Sequence, residues 1–232
     1  MTLDYPKHKN ILLQILKDIF SDTSIAPYLG FKGGTAALMF YGLNRSSVDI
    51  DLDLLDEKKK REVFEKIRKI AASYGKIVYS RVKRFNLVAI ISHDLKSQNI
   101  KIEVNCRDFG SKYELKTLLG ISMLVMVKED MFANKLMAMY ERIGKTSRDV
   151  YDVYFFAKNN WPINRKLVEA RAKLSFSEVL NKCVKLLENM DNRHILDGLG
   201  EMLSEPQKGW SRAKLRTETI FLLKAWLESE KN

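Results

Sequence analysis

The chain has 232 residues, 46% of them hydrophobic, with four prolines and no low-complexity run. This fits one large or two small globular domains and excludes extensive disorder. No apolar segment approaches the roughly 20 residues that span a bilayer, and Met1–Pro6 lacks the apolar core of a signal peptide. A cytoplasmic location with no membrane partner is therefore expected. Lys and Arg outnumber Asp and Glu by 40 to 29, a formal net charge of +11. Such a charge attracts polyanions and makes RNA a candidate partner, although charge alone does not establish it.

In chain order, residues 7–20 read as a helix, because Ile11, Leu12, Ile15, Leu16 and Ile19 keep helical spacing. A short strand over 29–32 runs into Gly33-Gly34. A helix follows to about Leu43, with Ala36, Leu38 and Met39 on its apolar face. The next strand, about 48–55, contains Val48-Asp49-Ile50-Asp51-Leu52-Asp53. Residues 57–74 form a charged amphipathic helix with Val63, Phe64, Ile67 and Ile70 inward. Three strand-like runs follow at 76–82, 85–92 and 99–105. The first half is thus α/β (α+β) with a small mixed sheet. Beyond about residue 112 no convincing strand remains, although 112–127 could hold a short strand or helix. Helices are expected at 128–143, 146–158, 164–172, 175–189, 191–204 and 211–229. The expected organisation is an α/β domain over 1–112 and a C-terminal helical domain over 113–232.

The most informative stretch runs from Lys32 to Asp53. Residues two apart on a strand point to the same side, so Asp49 and Asp51 project together. Two adjacent carboxylates repel unless a cation lies between them. A hard divalent ion with oxygen ligands, Mg²⁺ above all, suits that pair. Asp53 shares the face and is either a third ligand or out of reach at the strand end. Gly33 and Gly34 let backbone approach a phosphate closely, at a helix start where unpaired N–H groups and the helix dipole favour anions. On 100–105, alternation puts Lys101, Glu103 and Asn105 on one face, which reads equally well as the exposed side of an edge strand. Lys32 and Arg45 flank the turn and could hold phosphate or RNA, or neutralise the acids.

A second segment runs from Lys128 to Tyr154. Lys135, Ala138 and Arg142 fall on one helical face, and a lysine there can reach a triphosphate as a point charge. Asp149 and Asp152 stand at i and i+3 near a helix start. Capping by Ser147 or Asp149, or ion pairing to Arg142 or Arg148, are structural roles for this group. Cys106 and Cys183 lack metal-ligand spacing and read as reduced thiols. His8, His93 and His194 are scattered and support no histidine-based catalyst. The run Trp210–Arg216, with Lys182, Lys185 and Arg193, is a solvated helix face or an RNA-facing patch.

A glycine pair followed by D-x-D resembles the h-G-G/S … D-h-D signature of polymerase-β-type nucleotidyltransferases. The longer run K-G-G-T-A through R-x-S-x-D-I-D-L resembles the AbiEii/AbiGii toxin family of type IV toxin–antitoxin and abortive-infection systems. So does K-L-x-A-x-x-x-R followed by R-D-x-x-D. The resemblance covers about residues 30–155. Two departures are visible: fourteen residues separate Gly34 from Asp49, slightly more than usual, and Gly34 stands where serine would offer a hydroxyl.

The resemblance implies a nucleotidyltransferase fold and transfer of an NMP from an NTP to an acceptor hydroxyl. Mg²⁺ would be required, with Mn²⁺ able to replace it. The acceptor is a tRNA 3′ end in some members and a protein hydroxyl in others, and the charge here favours tRNA. A cognate antitoxin is also implied, which need not bind the toxin. Among the residues, the resemblance makes Asp49 and Asp51 metal ligands and Glu103 the base that activates the acceptor. It places Lys135 and Asp149 in the catalytic set, contributed by the helical domain. Lys32, Gly33, Gly34, Thr35, Arg45, Ser47, Lys135 and Asp152 would surround the nucleotide. Two other readings stay open: a nucleotidyltransferase acting on a protein or small molecule without a toxin role, and a non-catalytic nucleotide- or RNA-binding protein.

Overall fold

The computed structural model describes residues 5–93 and 98–230. The chain forms two compact units, residues 1–127 and 128–232.

In chain order the first unit contains α1 (Tyr5–Ser21), β1 (Leu29–Lys32), α2 (Gly33–Tyr41), β2 (Ile50–Leu54) and α3 (Lys60–Tyr74). It continues with β3 (Lys76–Val82), β4 (Asn86–Ser92), β5 (Ile100–Asn105), β6 (Tyr113–Leu118) and β7 (Ile121–Met126). The strands make one sheet in the order β3-β4-β5-β2-β1-β7-β6. β2 pairs with β5 and β1 with β7 in parallel, and the other neighbours are antiparallel. The sheet is therefore mixed, as its sequence pattern predicts.

Alternation sorts the two faces. On one, Phe31 lies opposite Leu52 and Val125, Leu52 opposite Val104, and Val104 opposite Leu87. All five are buried. This row meets the apolar stripe of α1, where the Phe20 ring lies 6.3 Å from that of Phe31. Val63, Ile67 and Ala71 of α3 are buried as well, and α3 packs on α1 and β4. Each large side chain removed from water here contributes about 1.5–3 kcal/mol. On the other face the same strands carry polar rows. Lys32 is opposite Asp51 and Asp51 opposite Glu103, while Gly30 is opposite Asp53, Asp53 opposite Asn105 and Asn105 opposite Asn86.

Two expectations for this region are corrected. The stretch after residue 112 holds strands β6 and β7, so the sheet has seven strands and the first unit runs to Val127. The hairpin between them turns on Leu119 and Gly120, at φ 51° and 78°. Two positive φ values suit a tight two-residue turn, but leucine is not a residue that announces one. β2 also begins at Ile50, so Asp49 stands just before the strand.

The second unit is helical: α4 (Lys128–Arg142), α5 (Arg148–Lys158), α6 (Arg165–Ala172), α7 (Phe176–Glu188), α8 (Glu205–Trp210) and α9 (Arg216–Ser229). Its core is aromatic. Phe156 stacks on Trp161 at 4.0 Å, and Phe132 meets Phe156 at 5.5 Å and Trp226 at 5.2 Å. The helix expected over 191–204 is absent; only short 3₁₀ turns at Asn192–His194 and Gly200–Met202 occur there. Gly198, at φ 65°, interrupts the span. The helix expected from 211 starts earlier, at Glu205, behind a capping box of Ser204 and Gln207. It passes through a π-helical turn at Ser211–Leu215 before α9.

Candidate active site

The glycine turn and the aspartates are fitted to each other. Gly33 sits at φ 79°, and a Cβ there would fall 2.9 Å from Asp51 Cβ and 3.0 Å from its Cγ. A Cβ on Gly34 would lie 2.8 Å from a guanidinium nitrogen of Arg45 and 3.0 Å from Ser47 Oγ. The K-G-G-T and R-S-S-V-D segments are thus laid directly on one another. Thr35 Oγ1 binds them together, hydrogen bonding to Ser47 Oγ at 2.8 Å and to the Asp49 carbonyl. Arg45, only 4% exposed, also donates to the Ser46 carbonyl at 2.8 Å. Thr35, Arg45 and Ser47 therefore shape the loop that carries Asp49. Lys32 is the N-cap residue of α2, and its side chain makes no capping bond. The first-turn amides of α2, with the positive end of the helix dipole, form an anion-binding edge.

The three aspartates have different surroundings. Asp53 is buried, and its carboxylate is held from three strands. Lys32 Nζ lies 2.5 Å and Asn105 Nδ2 2.6 Å from Oδ1, and the Tyr113 hydroxyl donates to Oδ2 at 2.5 Å. The Tyr113 ring occupies the place that a side chain on Gly30 would take. Asp53 thus anchors Lys32 and ties the middle of the sheet together. Asp51 is half-buried, and among the described residues its carboxylate has no hydrogen-bond or ion-pair partner. Sequence reasoning missed Tyr113, because its segment was not read as a strand.

Glu103, in register beside Asp51, accepts hydrogen bonds from the Asn86 amide and, at 2.8 Å, from Lys101 Nζ. Burial pushes its proton affinity up. The bond and charge of Lys101, the Asn86 amide and the field of Lys32 outweigh this and hold the carboxyl below its ordinary range. Burial acts on Lys101 in the opposite sense. It is overcome by Glu103, Asp51 and Asp49, so the ammonium is held above its ordinary range. One lysine thus responds to all three carboxylates. Among the described residues no group of three or more His, Cys, Asp or Glu side chains is arranged to hold a metal. Asp49 and Asp51 alone are a two-carboxylate oxygen donor set. That is the set Mg²⁺ takes when water and substrate phosphates complete its shell.

In the second unit, α4 and α5 bury an ion cluster. Lys135 Nζ lies 3.1 Å from Asp149 and 2.7 Å from Asp152, and Arg142 reaches Asp149 at 2.7 Å. Both aspartates are buried. Ser147 is the N-cap residue without a side-chain cap bond; its hydroxyl donates to the His194 carbonyl instead. Ion pairing, not capping, is therefore the structural role of these acids. In the Trp210–Arg216 run, Arg216 donates to the Met190 carbonyl at 2.8 Å.

A glycine turn packed against Asp51, with Asp49 just before the strand, on a mixed sheet followed in sequence by a helical unit, is the arrangement of a nucleotidyltransferase. The sequence profile of the family described as nucleotidyl transferase AbiEii toxin, type IV TA system, matches residues 14–218. The chain belongs to that family. No curated protein matches it in sequence. Two Helicobacter pylori crystal structures share its fold. One is that of JHP933, at 18% identity and TM-score 0.58, covering 100% of this chain and 97% of that one. The other carries a provisional nucleotidyltransferase assignment, at 20% identity and TM-score 0.60, with full coverage of both chains. No helix among the described residues is long and apolar enough to cross a membrane.

Proposed function

We propose that this nucleotidyltransferase moves an NMP from an NTP to a hydroxyl of tRNA in a Mg²⁺-dependent reaction, as the toxin of a type IV pair in the cytoplasm. The observation that carries this reading is the Asp51 carboxylate, without a hydrogen-bond or ion-pair partner among the described residues, packed against the Gly33 turn with Asp49 two residues before it. Asp49 and Asp51 would hold the metal. A divalent cation held by these carboxylates, Mg²⁺ or Mn²⁺, would supply charge neutralisation and Lewis-acid polarisation at the phosphates.

The amides of Gly33 and Gly34 bind phosphate oxygens at the start of α2. Lys32 and Arg45 add positive charge around them, and Thr35 and Ser47 keep the loop in shape. Lys135, whose ammonium Asp149 and Asp152 fix, serves as a triphosphate ligand. Glu103 stays ionised near neutral pH and orients the acceptor hydroxyl through its oxygens. As that oxygen bonds to the α-phosphorus in line, its proton passes to Glu103, the α–β phosphoanhydride bond breaks and pyrophosphate leaves. The net charge of +11 supports a polyanionic acceptor, and the family implies a cognate antitoxin.

The test is label transfer from each α-³²P-NTP to total tRNA and to total protein, wild type beside Asp49→Ala/Asp51→Ala. Label on tRNA that disappears in the double variant is expected. Equal labelling by the variant would overturn the site assignment, and label on protein alone would replace the acceptor.

A further inference from the structure

We propose that the β3–β4 hairpin tip, with Arg107 and Phe109, is a stacking platform for a single-stranded nucleic-acid acceptor. This inference rests on the nucleotidyl-transfer reading above. Phe85 stands at the turn with 45% of its surface exposed. Two guanidinium groups stand near its ring, Arg84 at 4.9 Å and Arg107 at 5.5 Å from the centroid, and Arg107 also lies 5.2 Å from the Phe109 ring. Lys83 stands 5.7 Å over Tyr79, itself 37% exposed.

The backbone beneath is fixed. Lys83 N–H donates to the Asn86 carbonyl and Cys106 N–H to the Phe85 carbonyl, both at 2.7 Å. Lys60 Nζ donates to the Arg84 carbonyl at 2.9 Å. An exposed ring held this way loses little conformational freedom when a ligand lands on it.

Charge selects the class of ligand. From Gly75 to His93 there is no Asp or Glu, against Lys76, Arg81, Lys83 and Arg84. The nearby Asp108 accepts a bond from the Gly110 amide at 2.7 Å. Cations over exposed aromatic rings suit nucleic acid, whose phosphates meet the charges while a base stacks on the ring. An acidic peptide would satisfy the cations and leave Phe85 bare. A duplex keeps its bases stacked internally, so the strand must be single.

The platform adjoins the carboxylate row through side chains. Asn86, next to Phe85, donates to Glu103, and Arg107 Nε donates to Asn105, which holds Asp53. A strand with a base on Phe85 therefore runs toward the carboxylate assigned to its terminal hydroxyl.

The experiment is fluorescence anisotropy with a labelled mixed-sequence single-stranded RNA of about 12 nucleotides, within the usual footprint of such surfaces. The same sequence as a duplex and a poly-glutamate competitor serve as controls. Phe85→Ala should weaken single-strand binding about 5- to 100-fold, and Phe85→Tyr should retain it. Arg84→Ala/Arg107→Ala should lower the salt slope by about 1.4, two contacts at roughly 0.7 each. If Phe85→Ala fails to fold, Phe85→Tyr and the arginine pair carry the test.

Binding by Phe85→Ala within twofold of wild type would overturn the proposal. So would duplex binding equal to that of the single strand, or poly-glutamate displacing the RNA at equal charge. The Asp49→Ala/Asp51→Ala variant separates the two readings. Retained RNA binding with lost label transfer supports both. Retained transfer by that variant, with RNA binding lost in Phe85→Ala, sinks the site assignment and leaves the platform standing.

Discussion

Replacing Gly33 by alanine tests whether the turn and the aspartate strand are packed as one object. Two costs apply. A left-handed backbone, φ 79° here, costs a non-glycine residue about 1–2 kcal/mol. The added methyl would also meet Asp51 Cβ at 2.9 Å and Cγ at 3.0 Å. Those atoms are the stem of a strand residue paired on both sides and cannot swing away, so overpacking adds about 1–3 kcal/mol. Gly42 provides the control. It has φ 72°, and a methyl added there would meet nothing within 4 Å, so Gly42→Ala carries only the backbone cost. Urea unfolding of both variants should show Gly33→Ala losing about 1–3 kcal/mol more than Gly42→Ala at unchanged m-value. Equal losses would refute the close fit between turn and strand. Asp51→Ala in the Gly33→Ala background removes the Cγ contact and leaves the Cβ contact. A double-mutant cycle should therefore show partial coupling.

Lys135→Met leaves Asp152 without the ion-pair partner seen in α4 and strips Asp149 of one of two. Removing one side of a buried pair costs about 3–5 kcal/mol, so a lowered thermal midpoint is expected whatever happens to transfer. Adding Asp152→Asn should restore part of it; no recovery would argue against the ion-pair account. Burial and the hydrogen bond to Asp18 push the Tyr74 phenol up to about 12 from 10.0. A group raised in the folded state stabilises below its unfolded value, and that contribution is lost as pH climbs from about 10 to 12. Wild type should lose more stability than Tyr74→Phe across that window, and parallel unfolding curves would contradict the assignment.

Much of the first unit was legible because its strands are short apolar-rich runs bounded by turn residues. β1 and β3 fall where the sequence pattern places them, and the apolar partners Ile50 and Leu52 announce which way Asp51 must point. β6 was not legible. Tyr-Glu-Leu-Lys-Thr-Leu is an edge strand with Leu115 70% exposed, so no buried face imposes a pattern on it. In the helical unit, Ile195, Leu199, Met202 and Leu203 keep helix-like spacing and are buried, yet Met202 sits in a short 3₁₀ turn and the other three flank such turns. Burial requires the spacing but not a continuous α-helix. The capping box at Ser204 carried a local signal for α8 that apolar periodicity outweighed.

The loss of β6 matters most at Asp53. In sequence, Asp49, Asp51 and Asp53 are equivalent by alternation, and nothing local separates a pair from a triplet. What separates them arrives from three other strands: Lys32 from β1, Asn105 from β5 and Tyr113 from β6. The tyrosine is 60 residues away and can reach only because Gly30 leaves its ring a place. A carboxylate whose two oxygens already receive an ammonium, an amide and a phenol would have to give up those donors to take a cation. Asp51 gives up none among the described residues. The metal pair proposed for this chain is Asp49 and Asp51 because the sheet itself occupies Asp53. The same contact fixes the Lys32 ammonium beside the start of α2, so the charge that the proposed phosphate site calls for is already in place.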